Sequence, residues 1–237
     1  MEIKYKFASA EDTSAMTDLW ESCFGDGREY VSAFFSSGAA ERYAVALAED
    51  RIVGMTALIP CFMGKVKNYY VYALCVSPQY RRMGIARTIL DFAFSYVKEN
   101  FGGGLLLHPA EPDLFGYYRA AGFEVPVFGQ KVSVFAETLG DGHVLSREDY
   151  VAARKEYADQ NNLISFCDEW VAFCYGESVD NGGFCLLVDG KYFFGREEEG
   201  TVHVTETSSS CSFTDVPVGL GRGIPTDKKY ILTLMGE

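Results

Sequence analysis

The sequence lacks several features that would assign a function at once. It has no run of about 18 apolar residues, which a membrane-spanning helix needs, and it does not begin with the basic and then apolar segments of a signal peptide. Its three histidines, His108, His143 and His203, are far apart, and its seven cysteines form no metal-type pairs. We therefore expect a cytoplasmic protein with reduced thiols, no membrane association and no bound metal.

An excess of basic residues is also absent. The net charge is −12 at pH 7, and residues 138–237 carry −9 of it. Proteins that bind nucleic acids usually present basic surfaces, so we expect no nucleic-acid partner. The acidic second half can attract a cationic amine, although acidity that only keeps the protein soluble explains the charge equally well.

The two common nucleotide-binding fingerprints, GxxxxGK[ST] and GxGxxG, are missing as well. The most informative segment is residues 71–100. It opens with the apolar run Val71–Val76, which predicts a buried strand, and Pro78 ends that strand because proline has no N–H for a sheet. Apolar residues then recur at helical spacing from Ile85 to Val97, which predicts an amphipathic helix.

The turn between this strand and this helix is basic and contains small residues. Gly84 and Ala86 allow a ligand to approach the backbone, and Arg81, Arg82 and Arg87 add positive charge. The first N–H groups of a helix have no partner within the helix and carry a partial positive charge. The turn therefore predicts a site for a phosphate or pyrophosphate. An ordinary strand-to-helix turn with solvated arginines is the alternative.

Two patterns along the chain resemble those of a known family. Arg81, Gly84 and Ala86 match [QR]-x-x-G-x-[GA], which resembles the acetyl-CoA signature of the GNAT N-acetyltransferases. Downstream, a predicted helix ends in Tyr118, Gly122 and Phe123, which resembles the family's other signature, Y-x-x-x-G-F. Because the two patterns occur in the family's order and spacing, the chain resembles the GNAT N-acetyltransferases.

The resemblance implies a fold and an acyl donor. A GNAT domain has an α/β (mixed α+β) fold, in which helices cover both faces of a central mixed sheet. Two parallel strands, here Val71–Val76 and Gly104–Leu107, splay apart, and acetyl-CoA binds in the gap, where backbone groups bond its pantetheine arm as an added strand would. The residues implied to bind it are Leu74, Cys75, Val76, Arg81, Arg82, Met83, Gly84, Ile85, Ala86 and Arg87.

The resemblance also implies direct transfer of the acetyl group to a primary amine. Tyr118 is the implied general acid, since a phenol with a pKa near 10 is protonated at neutral pH, although it could instead only pack against the sulfur. Many members carry a glutamate base near the position of Tyr70, where this chain has no carboxylate. His108 and Glu111 are the other catalytic candidates, and His108 could equally be structural. The carboxylate of the C-terminal Glu237 is a further candidate.

The order of predicted elements divides the chain into a GNAT domain, residues 1–137, and a second domain, residues 138–237, at the turn-rich segment Thr138–His143. Two helices, the second predicted over Ile164–Tyr175, then precede three short strands. This layout repeats the first part of a GNAT unit, so we expect a tandem arrangement with a truncated second repeat that has no cofactor site of its own. An unrelated α+β appendage is the alternative. The segment Gly219–Pro225 is predicted to be an ordered loop.

Two other functions stay open on the sequence alone. A CoA-binding sensory or interaction module that has lost catalysis would explain the missing carboxylate, but Tyr118 argues against it. An interaction protein could use the acidic second half to dock a basic partner. For the enzyme, the acceptor is expected to be a small-molecule or peptide amine, and the protein a monomer or homodimer.

Overall fold

In the computed structural model the chain forms two compact units. The structure describes residues 2–132, 139–140, 142–161, 163–199, 201–209, 212–226 and 229–233. The first unit comprises residues 1–125 and 220–224, and the second comprises residues 126–219 and 225–237. The predicted division into a GNAT domain, residues 1–137, and a second domain, residues 138–237, stays a prediction.

The helices are α1 Thr13–Phe24, α2 Arg28–Ser37, α3 Ile85–Phe101, α4 Leu114–Ala120, α5 Arg147–Asn161 and α6 Asp168–Asp180. The strands are β1 Ile3–Phe7, β2 Arg42–Ala48, β3 Arg51–Met63, β4 Val66–Val76, β5 Leu105–Leu107, β6 Val125–Phe128, β7 Gln130–Lys131, β8 His143–Val144, β9 Ser165–Phe166, β10 Gly183–Val188, β11 Lys191–Glu198, β12 Thr201–Thr207, β13 Ser212–Phe213, β14 Gly219–Arg222 and β15 Tyr230–Ile231. None of these helices offers a stretch that is long and apolar enough to cross a membrane.

The first unit is built on a mixed sheet with the strand order β1-β2-β3-β4-β5-β14. Neighbouring strands are antiparallel except β4 and β5, which are parallel. Val71 and Tyr72 point to opposite faces because side chains alternate along a strand. Tyr72 packs with Trp20 of α1 and Phe34 of α2, whereas Val71 shares a core with Ile89 of α3. The predicted mixed sheet with helices on both faces is therefore confirmed.

Strands β4 and β5 are joined at one end and separate at the other. The Oδ1 atom of Asn68 accepts a hydrogen bond of 2.8 Å from the Gly104 N–H, and the Tyr69 N–H donates to the Gly104 carbonyl at 3.1 Å. Tyr69 then pairs with Leu105, and Tyr70 with Leu106. Within these two described strands no further pair follows. The predicted gap between two parallel strands is thus present.

A β-bulge in β4 accompanies the separation. Between the pairs Met55–Cys75 and Ala57–Tyr72, one residue of β3 stands opposite two residues of β4. One of the two is Ala73, whose φ of 51° lies in the left-handed region that non-glycine residues rarely adopt. A bulge bends its strand and increases the local twist, and this one lies just beyond the last residue pair of β4 with β5.

The second neighbour of β5 comes from far along the chain. Strand β14 pairs antiparallel with β5, with Leu220 opposite Leu107 and Arg222 opposite Leu105. The prediction of an ordered loop over Gly219–Pro225 is therefore wrong for residues 219–222. The three leucines of β5 are almost completely buried, so the backbone groups of this strand need partners on both sides, and β14 supplies them.

Glycine at position 104 is required where β14 and β5 meet. A Cβ atom on Gly104 would lie 2.2 Å from the Arg222 carbonyl oxygen, which belongs to the backbone and cannot rotate away. We expect Gly104→Ala to lower the free energy of unfolding by about 1–3 kcal/mol, as overpacked sites do. Urea unfolding followed by circular dichroism measures this change.

Gly116→Ala is the matched control for that variant. Gly116 lies in α4, and a Cβ atom there would meet nothing within 4 Å. We expect it to leave stability unchanged or to raise it by up to about 1 kcal/mol, because alanine favours helices. Equal unfolding midpoints for the two variants would contradict the close approach of β14.

The second unit contains the antiparallel sheet β12-β11-β10-β8, with the helix pair α5 and α6. The predicted hairpin turn at Asp189-Gly190 joins β10 to β11. The helix predicted over Ile164–Tyr175 is wrong at its start and its end, because Ser165–Phe166 forms β9 and α6 runs from Asp168 to Asp180. The Ile164 N–H donates to the Ile231 carbonyl, which keeps this segment extended.

A buried ion pair lies in the core of the second unit. The Nε atom of Arg154 lies 2.9 Å from Oε1 of Glu206, and the hydroxyls of Tyr150 and Tyr192 donate to the same oxygen at 3.2 and 2.8 Å. Arg154 also donates to the Thr233 side chain. Burial is the largest single effect and opposes the charged form of Arg154, but Glu206, Tyr150 and Tyr192 together raise the pKa of Arg154 above its usual range.

Candidate active site

The two sequence patterns meet at one edge of the first unit's sheet. The carboxyl ends of parallel neighbouring strands lie at the same edge, and β4 and β5 are such a pair. The end of β4 leads through residues 77–84 into α3, and the end of β5 leads through His108 into α4. The arginine turn and Tyr118 therefore follow adjacent strands, at the end where those strands separate.

The start of α3 has no side-chain cap. Gly84 is the N-cap residue, with a φ of 79°, and it has no side chain that could cap the N–H groups of the first turn. The N–H groups of that first turn have no acceptor within the helix. A Cβ atom on Gly84 would meet nothing within 4 Å, so the space in front of the turn is open. The turn can thus accept an anionic group from solvent.

Three arginines lie within three residues of Gly84 along the chain. Arg81, Arg82 and Arg87 are all exposed. The Nε atom of Arg81 donates to the Val76 carbonyl at 3.1 Å, which ties its side chain to the end of β4. A ligand that contacts Val76, as predicted, would have to share this carbonyl or use the Val76 N–H.

Tyr118 is half-buried on α4, with its ring 6.0 Å from that of Phe123 and 5.2 Å from that of Tyr117. Burial raises the pKa of Tyr118 to about 12, with a smaller contribution from Tyr117. The phenol therefore stays protonated well above neutral pH, as a general acid must. Burial also raises the pKa of Tyr117, with smaller and opposing contributions from Arg87 and Asp91 on α3.

No acidic side chain projects from β4, whose residues are all described. Tyr70 is buried, and the hydroxyl of Tyr72 is 2.8 Å from that of Tyr30 on α2. His108 is half-buried directly after β5, and Glu111 is exposed in the turn before α4, so both base candidates precede Tyr118 on one connection. Glu237, the other candidate, lies outside the described residues.

A family model described as an acetyltransferase (GNAT) domain matches residues 4–125, just over half of the chain. The chain belongs to the GNAT acetyltransferase family. The match ends where the first unit passes into the second, and it contains both sequence patterns, from Arg81 to Phe123. The predicted family is therefore confirmed.

Solved structures with the GNAT fold resemble the chain over most of its length. A conserved Enterococcus faecalis protein of unknown function aligns with a TM-score of 0.67 at 12% identity, over 94% of this chain and 73% of that one. GCN5-related N-acetyltransferases from Kribbella flavida and Anabaena variabilis align with TM-scores of 0.65 and 0.64, at 14% and 18% identity, over 87% and 92% of this chain. The chain spans only 58% and 59% of those two proteins. No curated protein matches the sequence.

Some residues implied to bind the donor in this GNAT domain can do so only through the backbone. The side chains of Ile85 and Cys75 are buried, and Leu74 and Ala86 pack partly buried against the same core as Ile85. Met83, by contrast, is 53% exposed beside the arginines. The individual binding residues and the catalytic roles stay predictions.

One pair of side chains near the GNAT signature was not predicted. The thiol of Cys23 on α1 contacts the Val76 carbonyl at 3.7 Å. The interaction with the thiol of Cys75 lowers the pKa of Cys23, with a smaller contribution from Arg81, and raises the pKa of Cys75. The two cysteines are far apart in sequence, and no spacing rule connects them.

Proposed function

We propose that the protein transfers the acetyl group of acetyl-CoA to a primary amine by direct attack. The observation that carries this proposal is the open, uncapped start of α3. It lies among Arg81, Arg82 and Arg87, at the edge where β4 separates from β5. Family membership supports the choice of donor.

The residues present fit the two parts of such a donor. A pyrophosphate needs several N–H donors and positive charge, and the first turn of α3 and the three arginines provide both. An extended pantetheine arm carries amide groups, which suit the strand edge that β4 leaves unpaired after Tyr70. In this arrangement Leu74 and Val76 offer backbone groups to the arm, and Met83 to Arg87 surround the phosphates.

The chemistry needs an acid at the sulfur and a base at the amine. The donor supplies a thioester, whose carbonyl carbon forms a bond to the amine nitrogen while its bond to sulfur breaks. Tyr118 donates its hydroxyl proton to the departing sulfur, and its raised pKa keeps that proton in place until the step occurs. His108 or Glu111, directly or through water, takes the proton that the amine loses.

Several further features belong to the same proposal. The acceptor is a small-molecule or peptide amine, and the protein acts in the cytoplasm as a monomer or homodimer. The second unit is a truncated GNAT-like repeat without a cofactor site, which is supported by its order of two helices, α5 and α6, before the antiparallel strands β10 to β12.

A catalytically inactive CoA-binding module is the second candidate function. The observation in its favour is that Tyr70 and Tyr72 occupy the part of β4 where the family often places a carboxylate base. Such a module would bind acetyl-CoA at the same turn without releasing its thiol. Turnover with a panel of amines separates the two functions.

Calorimetric titration with acetyl-CoA tests the binding site. Gly84→Glu places a carboxylate in the open space at the start of α3, where it repels phosphates and covers the N–H groups. We expect it to weaken acetyl-CoA binding by at least ~100-fold, since it removes several charge-assisted hydrogen bonds.

Gly102→Glu is the matched control. Gly102 caps the other end of the same helix, also with a positive φ of 65°, and a Cβ atom there meets nothing within 4 Å. The two variants therefore share the added charge and the backbone strain. Equal affinities for both, or no binding by the parent protein, would overturn the proposed site.

A panel of spermidine, kanamycin and a lysine-containing peptide then tests catalysis. Release of the CoA thiol with any of these amines supports the enzyme. Tight binding of acetyl-CoA without release of the CoA thiol, either to an amine or by hydrolysis, supports the inactive module instead.

A further inference from the structure

Arg222, at the end of β14, is held by three different groups of the first unit. Its Nη1 atom donates to Oδ1 of Asp91 at 2.6 Å and to the carbonyl of Ala121 at 3.1 Å. Its guanidinium lies 4.3 Å from the centre of the Phe94 ring, at the distance of a cation–π contact. The side chain of Arg222 is 19% exposed and that of Asp91 is 47% exposed, so the ion pair is partly buried.

These contacts join the two helices of the candidate active site. Asp91 and Phe94 lie on α3, the helix that begins at the arginine turn. Ala121 is the residue that ends α4, three positions after Tyr118. The last carbonyls of a helix have no partner within it and favour a cation nearby. Arg222 therefore caps the end of α4 and ties it to α3.

The glycine of the Y-x-x-x-G-F pattern has a specific role in this contact. Gly122 has a φ of 86°, and a Cβ atom on it would lie 3.3 Å from the Nε atom of Arg222. Any larger residue would be strained and would press against the guanidinium. The pattern thus leaves room for an arginine that comes from a segment about a hundred residues later.

Helix α4 depends on such contacts for its orientation. It has seven residues, and isolated helices shorter than about 12–15 residues are marginal in water. Its end is fixed by backbone bonds to Ala121, Gly122 and Phe123 and by the donor from Arg222. Losing that donor would leave the turn that carries Tyr118 less firmly held against α3.

We propose that Arg222 is a positioning residue for catalysis, which holds α4 against α3 and thereby fixes Tyr118 relative to the acyl donor. This rests on the proposed function, in which Tyr118 is the general acid. Arg222 itself touches neither the donor nor the acceptor. Strand β14 also stabilises the sheet by pairing with β5. A test must therefore separate the effect of Arg222 on the position of Tyr118 from its effect on folding.

The test is a double-mutant cycle between Arg222→Met and Tyr118→Phe. Methionine keeps a flexible apolar side chain over Phe94 but removes both hydrogen bonds. The readout is release of the CoA thiol, with the best amine of the panel or, if none turns over, with water. We expect Arg222→Met to lower kcat by roughly 10–100-fold, because small displacements of catalytic groups have large effects, while the KM for acetyl-CoA changes by less than about twofold.

The cycle distinguishes positioning from a general structural effect. If Arg222 acts through Tyr118, Arg222→Met lowers kcat by less than about twofold in the Tyr118→Phe background. Arg222→Lys, which keeps a donor for Asp91 or Ala121, should recover part of the loss. Arg28→Met removes an exposed arginine that pairs with Glu21, far along the chain from either helix, and should leave kcat unchanged.

Each outcome decides a different point. Equal losses from Arg222→Met in both backgrounds, or no loss in the parent, would overturn the positioning role. A Tyr118→Phe variant with the parent's kcat would overturn the acid role, and this inference with it. A parent that releases no thiol would overturn the proposed function first.

Discussion

Tyr118→Phe is expected to lower kcat for acetyl transfer by roughly 10²–10⁴-fold, the range that a general acid contributes. The substitution removes only the hydroxyl and keeps the ring that packs beside Phe123. Binding of acetyl-CoA should change little, because the site proposed for its phosphates lies at the start of α3. The loss should therefore appear in kcat rather than in KM, which steady-state kinetics measure directly.

Tyr117→Phe is the matched control for this prediction. Tyr117 is the adjacent residue on the same helix and is 42% exposed. Its substitution likewise removes only a phenolic hydroxyl. We expect its kcat to stay within about twofold of the parent's, as for a group that makes no contact with the reacting atoms. Equal losses for the two variants would show that the loss reflects helix α4 as a whole rather than the acid.

The pH dependence of the parent gives an independent check. The acid works in its protonated form, and burial raises the pKa of Tyr118 to about 12. Tyr118 therefore remains protonated from pH 7 to pH 10, and the ratio of parent to Tyr118→Phe activity should be constant over that range. A ratio that falls between pH 7 and pH 10 would mean that the acid has a pKa within that range, which would contradict the burial of the Tyr118 hydroxyl.

The arginine turn was predictable because its chemistry is written in consecutive residues. The apolar run, Pro78, Gly84 and the helical spacing after Ile85 each follow a local rule, and the structure places them as β4, the turn and α3. The gap between β4 and β5 followed from the family resemblance. The bulge at Ala73 that accompanies it had no sequence signal, since alanine does not favour a positive φ.

Strand β14 was not predictable for a related reason. Residues 219–222 contain two glycines and a single large apolar side chain, Leu220, which is a pattern typical of loops. The segment becomes a strand because β5, more than a hundred residues earlier, offers a buried edge. Gly221 allows close packing, because a Cβ atom on it would lie 2.3 Å from the Cδ1 atom of Ile224. The contacts of Arg222 with Asp91 and Ala121 were hidden for the same reason.

The misplaced start of α6 shows a different limit. Ile164 to Phe166 is an apolar run too short to distinguish a strand from a buried helix by periodicity. The deciding signal was present in Asp168 and Glu169, because acidic residues favour the first turn of a helix. Cys167 is extended with a ψ of 152°, and the helix begins directly after it.

Arg154→Met is expected to lower the free energy of unfolding by about 3–5 kcal/mol, because it leaves the carboxylate of Glu206 buried without a counter-charge. The hydroxyls of Tyr150 and Tyr192 still donate to that carboxylate, but they are neutral. Lys155→Met is the control. Lys155 is the next residue of the same helix, and its exposed ion pair with Asp168 spans 3.5 Å. Because exposed ion pairs contribute at most about 1 kcal/mol, we expect this variant to lower the free energy of unfolding by no more than that. Urea unfolding measures both.

The size of that loss should depend on pH with a definite sign. A buried carboxylate without a partner binds a proton more readily in the folded than in the unfolded chain, so its cost is largest at high pH and is relieved as pH falls. We expect the difference in free energy of unfolding between Arg154→Met and the parent to be smaller at pH 5 than at pH 8. The double variant Arg154→Met/Glu206→Gln keeps an oxygen that accepts from Tyr150 and Tyr192 but carries no charge, so it should recover part of the loss and show no such slope. If Arg154→Met lowers the free energy of unfolding equally at both pH values, Glu206 is not an isolated buried charge in that variant. The packing of Arg154 over Phe166 would then account for the stabilisation of the core.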